Sequence, residues 1–194
     1  MRGVTHLTVG VASALLCNAV LPVEQSLFPS SALVVIAASA VGSLLPDVDH
    51  PGSMATRGIT LLFKGSRVGV WLTATILIFA GLYLWFPLVG VGVFMAIMGL
   101  IPHRGVTHSL AGVIVAGFLV WVFGGNIAVP FCVGYMMHLF ADMLTGGVPL
   151  LWPYNETIVF MRASVGGLLD YVFLFVSFGY IVYWAWIELG QHFA

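Results

Sequence analysis

Two stretches of this chain carry no charge. From Val68 to Ile101, and again from Gly105 to Ala141, there is no Asp, Glu, Lys or Arg. Each is much longer than the ~20 residues one membrane-spanning helix needs. In lipid every backbone polar group must be satisfied internally, so helices and closed barrels are the available spanning structures. Each stretch therefore reads as two helices back to back. Gly and Pro punctuate such runs, which places the turns near Pro87–Gly92 and Gly124–Pro130. Composition excludes the alternatives. Only 7% of residues are charged and 61% are hydrophobic, whereas a soluble domain carries about 25% charged residues and a disordered chain is polar. Six Lys plus Arg against seven Asp plus Glu give no basic field for nucleic acid. At 194 residues the chain is one domain, residues 1–194.

The expected fold is all-α: a polytopic transmembrane bundle of about seven apolar segments. They lie near 7–21, 31–46, 69–86, 89–101, 109–123, 128–145 and 167–188. Several are short enough to need tilting or to stop short of one interface. The first segment has some features of a signal peptide but a poor cleavage site, and is read as retained. Threading the chain through the bilayer puts Arg2, Arg57, Lys64, Arg67, Arg104 and Arg162 on one face. Basic loops stay cytoplasmic, so that face is cytoplasmic and the protein belongs in a plasma (inner) membrane. Cys17 and Cys132 form no disulfide framework and read as small buried hydrophobes.

The candidate metal ligands obey the same segregation. His6 opens the first segment. Asp47, Asp49 and His50 end the second. His103 and His108 flank the fourth loop, and His138 and Asp142 close the sixth segment. His138 and Asp142 are four apart, so a helix places them on one face. Pro46 and Pro51 frame an irregular turn that aims Asp47, Asp49 and His50 together. Gly105 permits a sharp turn between His103 and His108. Mixed imidazole and carboxylate donors suit zinc, manganese or iron. Eight such side chains are too many for one tetrahedral ion and fit two or three divalent ions, with an aspartate bridging. Thr5 and Thr107 precede ligands and either support them or cap helices. Arg104 either binds a substrate phosphate or anchors its loop. Asp170 reads as a ligand or as a helix N-terminal charge. Trp152 and Tyr154 read as interfacial aromatics.

Together these motifs resemble a family. Thr5-His6, Pro46 to His50, His103 to Ser109, and His138 to Thr145 with Trp152-Pro153 look like the YdjM-type inner-membrane metal-dependent hydrolases. The last motif departs in having Gly146-Gly147 directly after Thr145. That family is similar, more distantly, to zinc-dependent phospholipases C and single-strand nucleases. The resemblance implies phosphoester hydrolysis at a clustered site, zinc being the first candidate metal. His6, Asp47, Asp49, His50, His103, His108, His138 and Asp142 would be ligands. Asp49, His108 and Arg104 would take part in the reaction itself.

The resulting expectation is a membrane hydrolase using a metal-activated hydroxide at a cytoplasmic His/Asp site. A lipid or lipid-linked phosphate is the expected substrate and the bilayer the expected partner, with no nucleic acid. A transporter or channel for metal ions or protons is the alternative; it needs polar groups reaching both faces. A haem bundle is a third option, disfavoured by the aspartates beside nearly every histidine.

Overall fold

Prolines, glycines and a serine cap divide the apolar chain into helices. A computed structural model describes residues 1–20, 27–48, 53, 67–100, 105–154 and 156–193. Seven α-helices lie among them: α1 (Gly3–Val20), α2 (Ala32–Leu44), α3 (Arg67–Tyr83), α4 (Pro87–Met98), α5 (Leu110–Gly124), α6 (Ala128–Thr145) and α7 (Leu168–Phe193). Pro46 stands in the 3-10 turn Leu45–Asp47 that ends α2. Pro87 opens α4, where its missing N–H costs nothing. Ser109 caps α5, its hydroxyl accepting from the Gly112 amide at 3.3 Å. No strand occurs among the described residues; Val148 and Ile158 form an isolated antiparallel bridge.

The seven expected segments are therefore all helices, but the expected number of spans is corrected. Among the described residues, three stretches are long and apolar enough to cross a membrane: Gly3–Val20, Leu110–Thr145 and Leu168–Gly190. The second comprises α5, the 3-10 turn Gly125–Ile127 and α6. Gly125 takes φ +61° at the reversal, a conformation open to glycine. Gly117 before that turn and Cys132 after it touch one another, so the stretch is an antiparallel hairpin. Helices α2, α3 and α4 have 13, 17 and 12 residues. At 1.5 Å per residue they reach about 18–26 Å, short of a ~30 Å hydrocarbon core.

Helix α6 is the hub, packing on α1, α2 and α5. Between α2 and α6 the contact is backbone to backbone. A Cβ at Gly134 would overlap the Ser39 carbonyl oxygen, and one at Gly42 would overlap that of Phe131. Lipid gives helices no hydrophobic drive to associate, so such small-residue contacts carry the packing. Phe94, Phe131 and Tyr135 fill the core beside them, and the Tyr135 hydroxyl donates to the Thr107 carbonyl at 2.7 Å. Among the described residues α7 packs chiefly along α1, with a Ser177–Thr8 hydroxyl bond at 2.9 Å. Its outer surface is apolar and exposed. Cys17 is exposed on the outer side of α1 beside Leu16, correcting the expectation that it is buried; Cys132 is half-buried, and both are free.

Candidate metal centre

Four chain segments bring five predicted ligands to one end of the bundle. His6 comes from the first turns of α1, and Asp47 from the turn that Pro46 creates after α2. His108 comes from the 3-10 turn Val106–His108 before α5, while His138 and Asp142 share the last turns of α6. Of the other predicted site residues, Asp49, His50, His103 and Arg104 lie outside the described residues.

One oxygen or nitrogen from each of Asp47, His108, His138 and Asp142 falls within 4.8 Å of all the others. Asp47 Oδ1 lies 3.3 Å from His108 Nε2 and 3.7 Å from His138 Nε2. Asp142 Oδ2 lies 3.6 Å and 3.5 Å from the same two nitrogens. A tetrahedral zinc with bonds of about 2.0–2.1 Å holds its donors about 3.3–3.4 Å apart. These four edges are therefore close to those a small divalent ion requires.

The other Asp142 oxygen serves a second partner. Oδ1 sits 3.2 Å from His6 Nε2 and 3.3 Å from the Met1 amino group. One carboxylate thus faces two groups of donors, as a bridging aspartate must. The His6 and His138 rings stack with centroids 4.1 Å apart.

The imidazoles are oriented for ligation. His138 is fully buried, and its Nδ1 lies 2.8 Å from the Ser43 carbonyl oxygen. A carbonyl can only accept, so Nδ1–H donates and the Nε2 lone pair is turned toward the carboxylates. That nitrogen is buried and makes no hydrogen bond, which is costly unless something else takes the lone pair. The donor set and this orphaned atom both fit a divalent cation. His108 Nδ1 is 3.0 Å from the Thr107 hydroxyl, a contact that matches the first of the two roles open to Thr107. Outer-sphere partners of this kind are worth about 10–100-fold in metal affinity. Thr107→Val should accordingly weaken metal binding by about tenfold, read by competition with a metallochromic chelator. An unchanged affinity would reduce the contact to packing.

Asp170 takes the second of its two expected roles, a charge in the first turn of α7. It is fully buried at the start of α7, outside the four-residue group. Its Oδ2 accepts from the Gly166 amide at 2.8 Å, the Arg2 amide at 3.3 Å and Arg2 Nε at 3.1 Å. The Arg2 guanidinium lies over the Tyr171 ring, 4.1 Å from its centroid. The pair pins the start of α1, and with it His6, to α7. Sequence reasoning missed this pairing and the Ser43 contact. A mid-sequence acid and an N-terminal arginine give no spacing signal, and a backbone carbonyl gives none either.

The class these features define is an all-helical membrane protein with a buried His/Asp group able to take a metal. The YdjM inner membrane protein family model matches residues 1–192, and the chain belongs to that family. The inner membrane protein YdjM of Escherichia coli is 32% identical over 127 residues, which are 61% of this chain and 49% of that protein. The YdjM of Shigella flexneri matches to the same extent. The chain thus spans about half the length of these curated relatives. No solved structure matches it.

Proposed function

We propose that this protein is a membrane-embedded, metal-dependent hydrolase that cleaves a phosphoester of a lipid or lipid-linked substrate, from the cytoplasmic face of the inner membrane. The observation that carries the proposal is Asp142, whose two oxygens face separate donor groups. Ionisable groups inside membrane segments are costly and generally serve function. Here three histidines and two aspartates from four segments share one pocket. The likeness to zinc-dependent phospholipases C rests on the motifs alone and agrees with this donor set.

Divalent ions held there supply Lewis-acid polarisation of a phosphoryl oxygen and a water of lowered pKa. The chain's own residues do the rest. Asp47, His108, His138 and Asp142 would hold such an ion, and His6 would contribute to a second on the other side of Asp142. The Ser43 carbonyl and the Thr107 hydroxyl fix the ring orientations. The Asp47 and Asp142 side chains are the more open members of the set, at 29% and 16% exposure against 2% or less for the three histidines. A substrate approaches on their side. A catalytic ion keeps a coordination position for water.

Among the described residues, the ionisable side chains within the helices collect at this end. Glu188 stands apart, some 27 Å along α7 from Asp170 at 1.5 Å per residue. A transport path needs polar groups continuing to both faces, so hydrolysis is the better-supported reading.

The test is turnover of a panel of lipid phosphates by metal-loaded protein in nanodiscs, beside His138→Ala and a chelated sample. Loss of activity by about a thousandfold or more is expected in both. Equal activity in the variant would place the chemistry elsewhere. Metal uptake into sealed liposomes without turnover would replace the proposal with transport.

A further inference from the structure

The segment joining α6 to α7 is apolar on both of its sides. On the inner side, Val148 is buried and Leu150 packs against the main core. On the outer side, Leu151, Trp152, Tyr154, Phe160, Met161 and Val165 are all exposed. An exposed apolar patch of this kind marks a surface that something covers.

Backbone hydrogen bonds fix where this patch lies. The Phe160 amide donates to the Met143 carbonyl at 2.9 Å, and the Ala163 amide to that of Leu144 at 3.1 Å. The Leu110 amide, at the start of α5, donates to the Leu150 carbonyl at 3.0 Å. The segment therefore does not project away from the bundle. It is strapped around the helix ends that carry His108 and Asp142, at their own level. Phe160 also leans toward Phe140 on α6, ring centroids 6.4 Å apart. The patch thus runs on without a break from the apolar outer face of α6, where Met136 and Phe140 are exposed.

The composition matches a bilayer interface. Trp and Tyr gather at headgroup level because one end of each ring is apolar and the other polar. Arg162, exposed between Met161 and Ala163, can keep its guanidinium among phosphates while its stem lies along apolar surface. The occupant consistent with this continuity, level and composition is the lipid in which α6 sits.

We propose that the described residues of this strap, 150–154 and 156–165, form an interfacial element resting on the phospholipid headgroup layer of its own bilayer. Leu151, Trp152, Phe160 and Met161 enter the upper acyl region, and Arg162 meets the phosphates. The His/Asp group is then held at headgroup depth and is reached sideways from the leaflet. The proposal rests on the chain being membrane-embedded and stands whether or not the group hydrolyses anything.

The test is an environment-sensitive fluorophore on Met161→Cys, and separately on Leu151→Cys. Both are made in a Cys17→Ser, Cys132→Ser background and reconstituted in phosphatidylcholine–phosphatidylglycerol vesicles. Wild-type metal content serves as the control for folding. Blue-shifted emission is expected, with about half its intensity or more lost to lipids carrying nitroxide near the headgroup. Less than about a tenth should be lost to aqueous iodide. Strong iodide quenching at both positions would show the strap in water and overturn the proposal. Protection from both quenchers would show a protein partner or second copy covering it, and would overturn it equally.

Discussion

Asp142→Ala should leave the purified protein with close to no bound metal, while His6→Ala should keep about one ion where the unaltered chain holds about two. Elemental mass spectrometry of the detergent-purified proteins, after dialysis against buffered zinc or manganese, gives the count. The expectation follows from the division of the Asp142 carboxylate, Oδ2 toward His108 and His138 and Oδ1 toward His6. Removing His6 takes a donor from one side only. Removing Asp142 takes a donor from both, and leaves His138 Nε2 with a single carboxylate, that of Asp47 at 3.7 Å. His138→Ala should complete the pattern by losing the other ion. Metal affinity of Asp142→Asn separates charge from shape, because the amide keeps the volume and one oxygen but no negative charge. A wild-type chain that takes up one ion, unaffected by His6→Ala, would end the bridging reading. Full occupancy in Asp142→Ala would end the site altogether.

Much of this centre was legible before any coordinates, for reasons that differ residue by residue. His138 and Asp142 share a helix, and helical spacing alone puts them together. Asp47 follows Pro46, which ends α2 and frees the next residues from helical directions. His108 sits before the apolar run of α5, so its place at a helix end was readable from hydropathy. That all of them meet at one end follows from alternation of the helices and from the segregated basic residues. What escaped is what periodicity does not encode. The Ser43 carbonyl that orients His138 is a backbone atom, the same at every position. Asp170 and Arg2 are separated by nearly the whole chain, and only the packing of α7 on α1 pairs them. Cys17 was misread because an apolar neighbourhood in sequence implies burial in a soluble protein but exposure to lipid in a membrane one. The span count erred for a related reason: hydropathy finds apolar helices, whereas their ends depend on where turns such as Leu45–Asp47 form.

Gly134→Ala is expected to damage the centre from a distance. The substitution adds one methyl group a full helical turn from His138. At that place α2 and α6 touch through their backbones, and the new Cβ would overlap the Ser39 carbonyl oxygen and crowd the Ser43 hydroxyl. Ser39 has no slack to give. Its own carbonyl accepts from the Ser43 hydroxyl at 2.7 Å, and its hydroxyl donates to the Val35 carbonyl at 2.8 Å. The helices must therefore separate. Overpacking of this kind costs about 1–3 kcal/mol, visible as a lower midpoint of thermal unfolding in detergent. Separation also draws the Ser43 carbonyl away from His138 Nδ1, removing the bond that turns Nε2 into the pocket. Metal affinity should then fall by about tenfold or more, the range lost when an outer-sphere partner is removed. Gly179→Ala is the control: it lies on α7 with nothing within 4 Å of a built Cβ, and should leave metal affinity unchanged without lowering the unfolding midpoint. A destabilised Gly134→Ala that binds metal as tightly as the unaltered chain would uncouple the helix contact from the site. It would show that His138 is oriented by its carboxylate neighbours rather than by the α2 backbone.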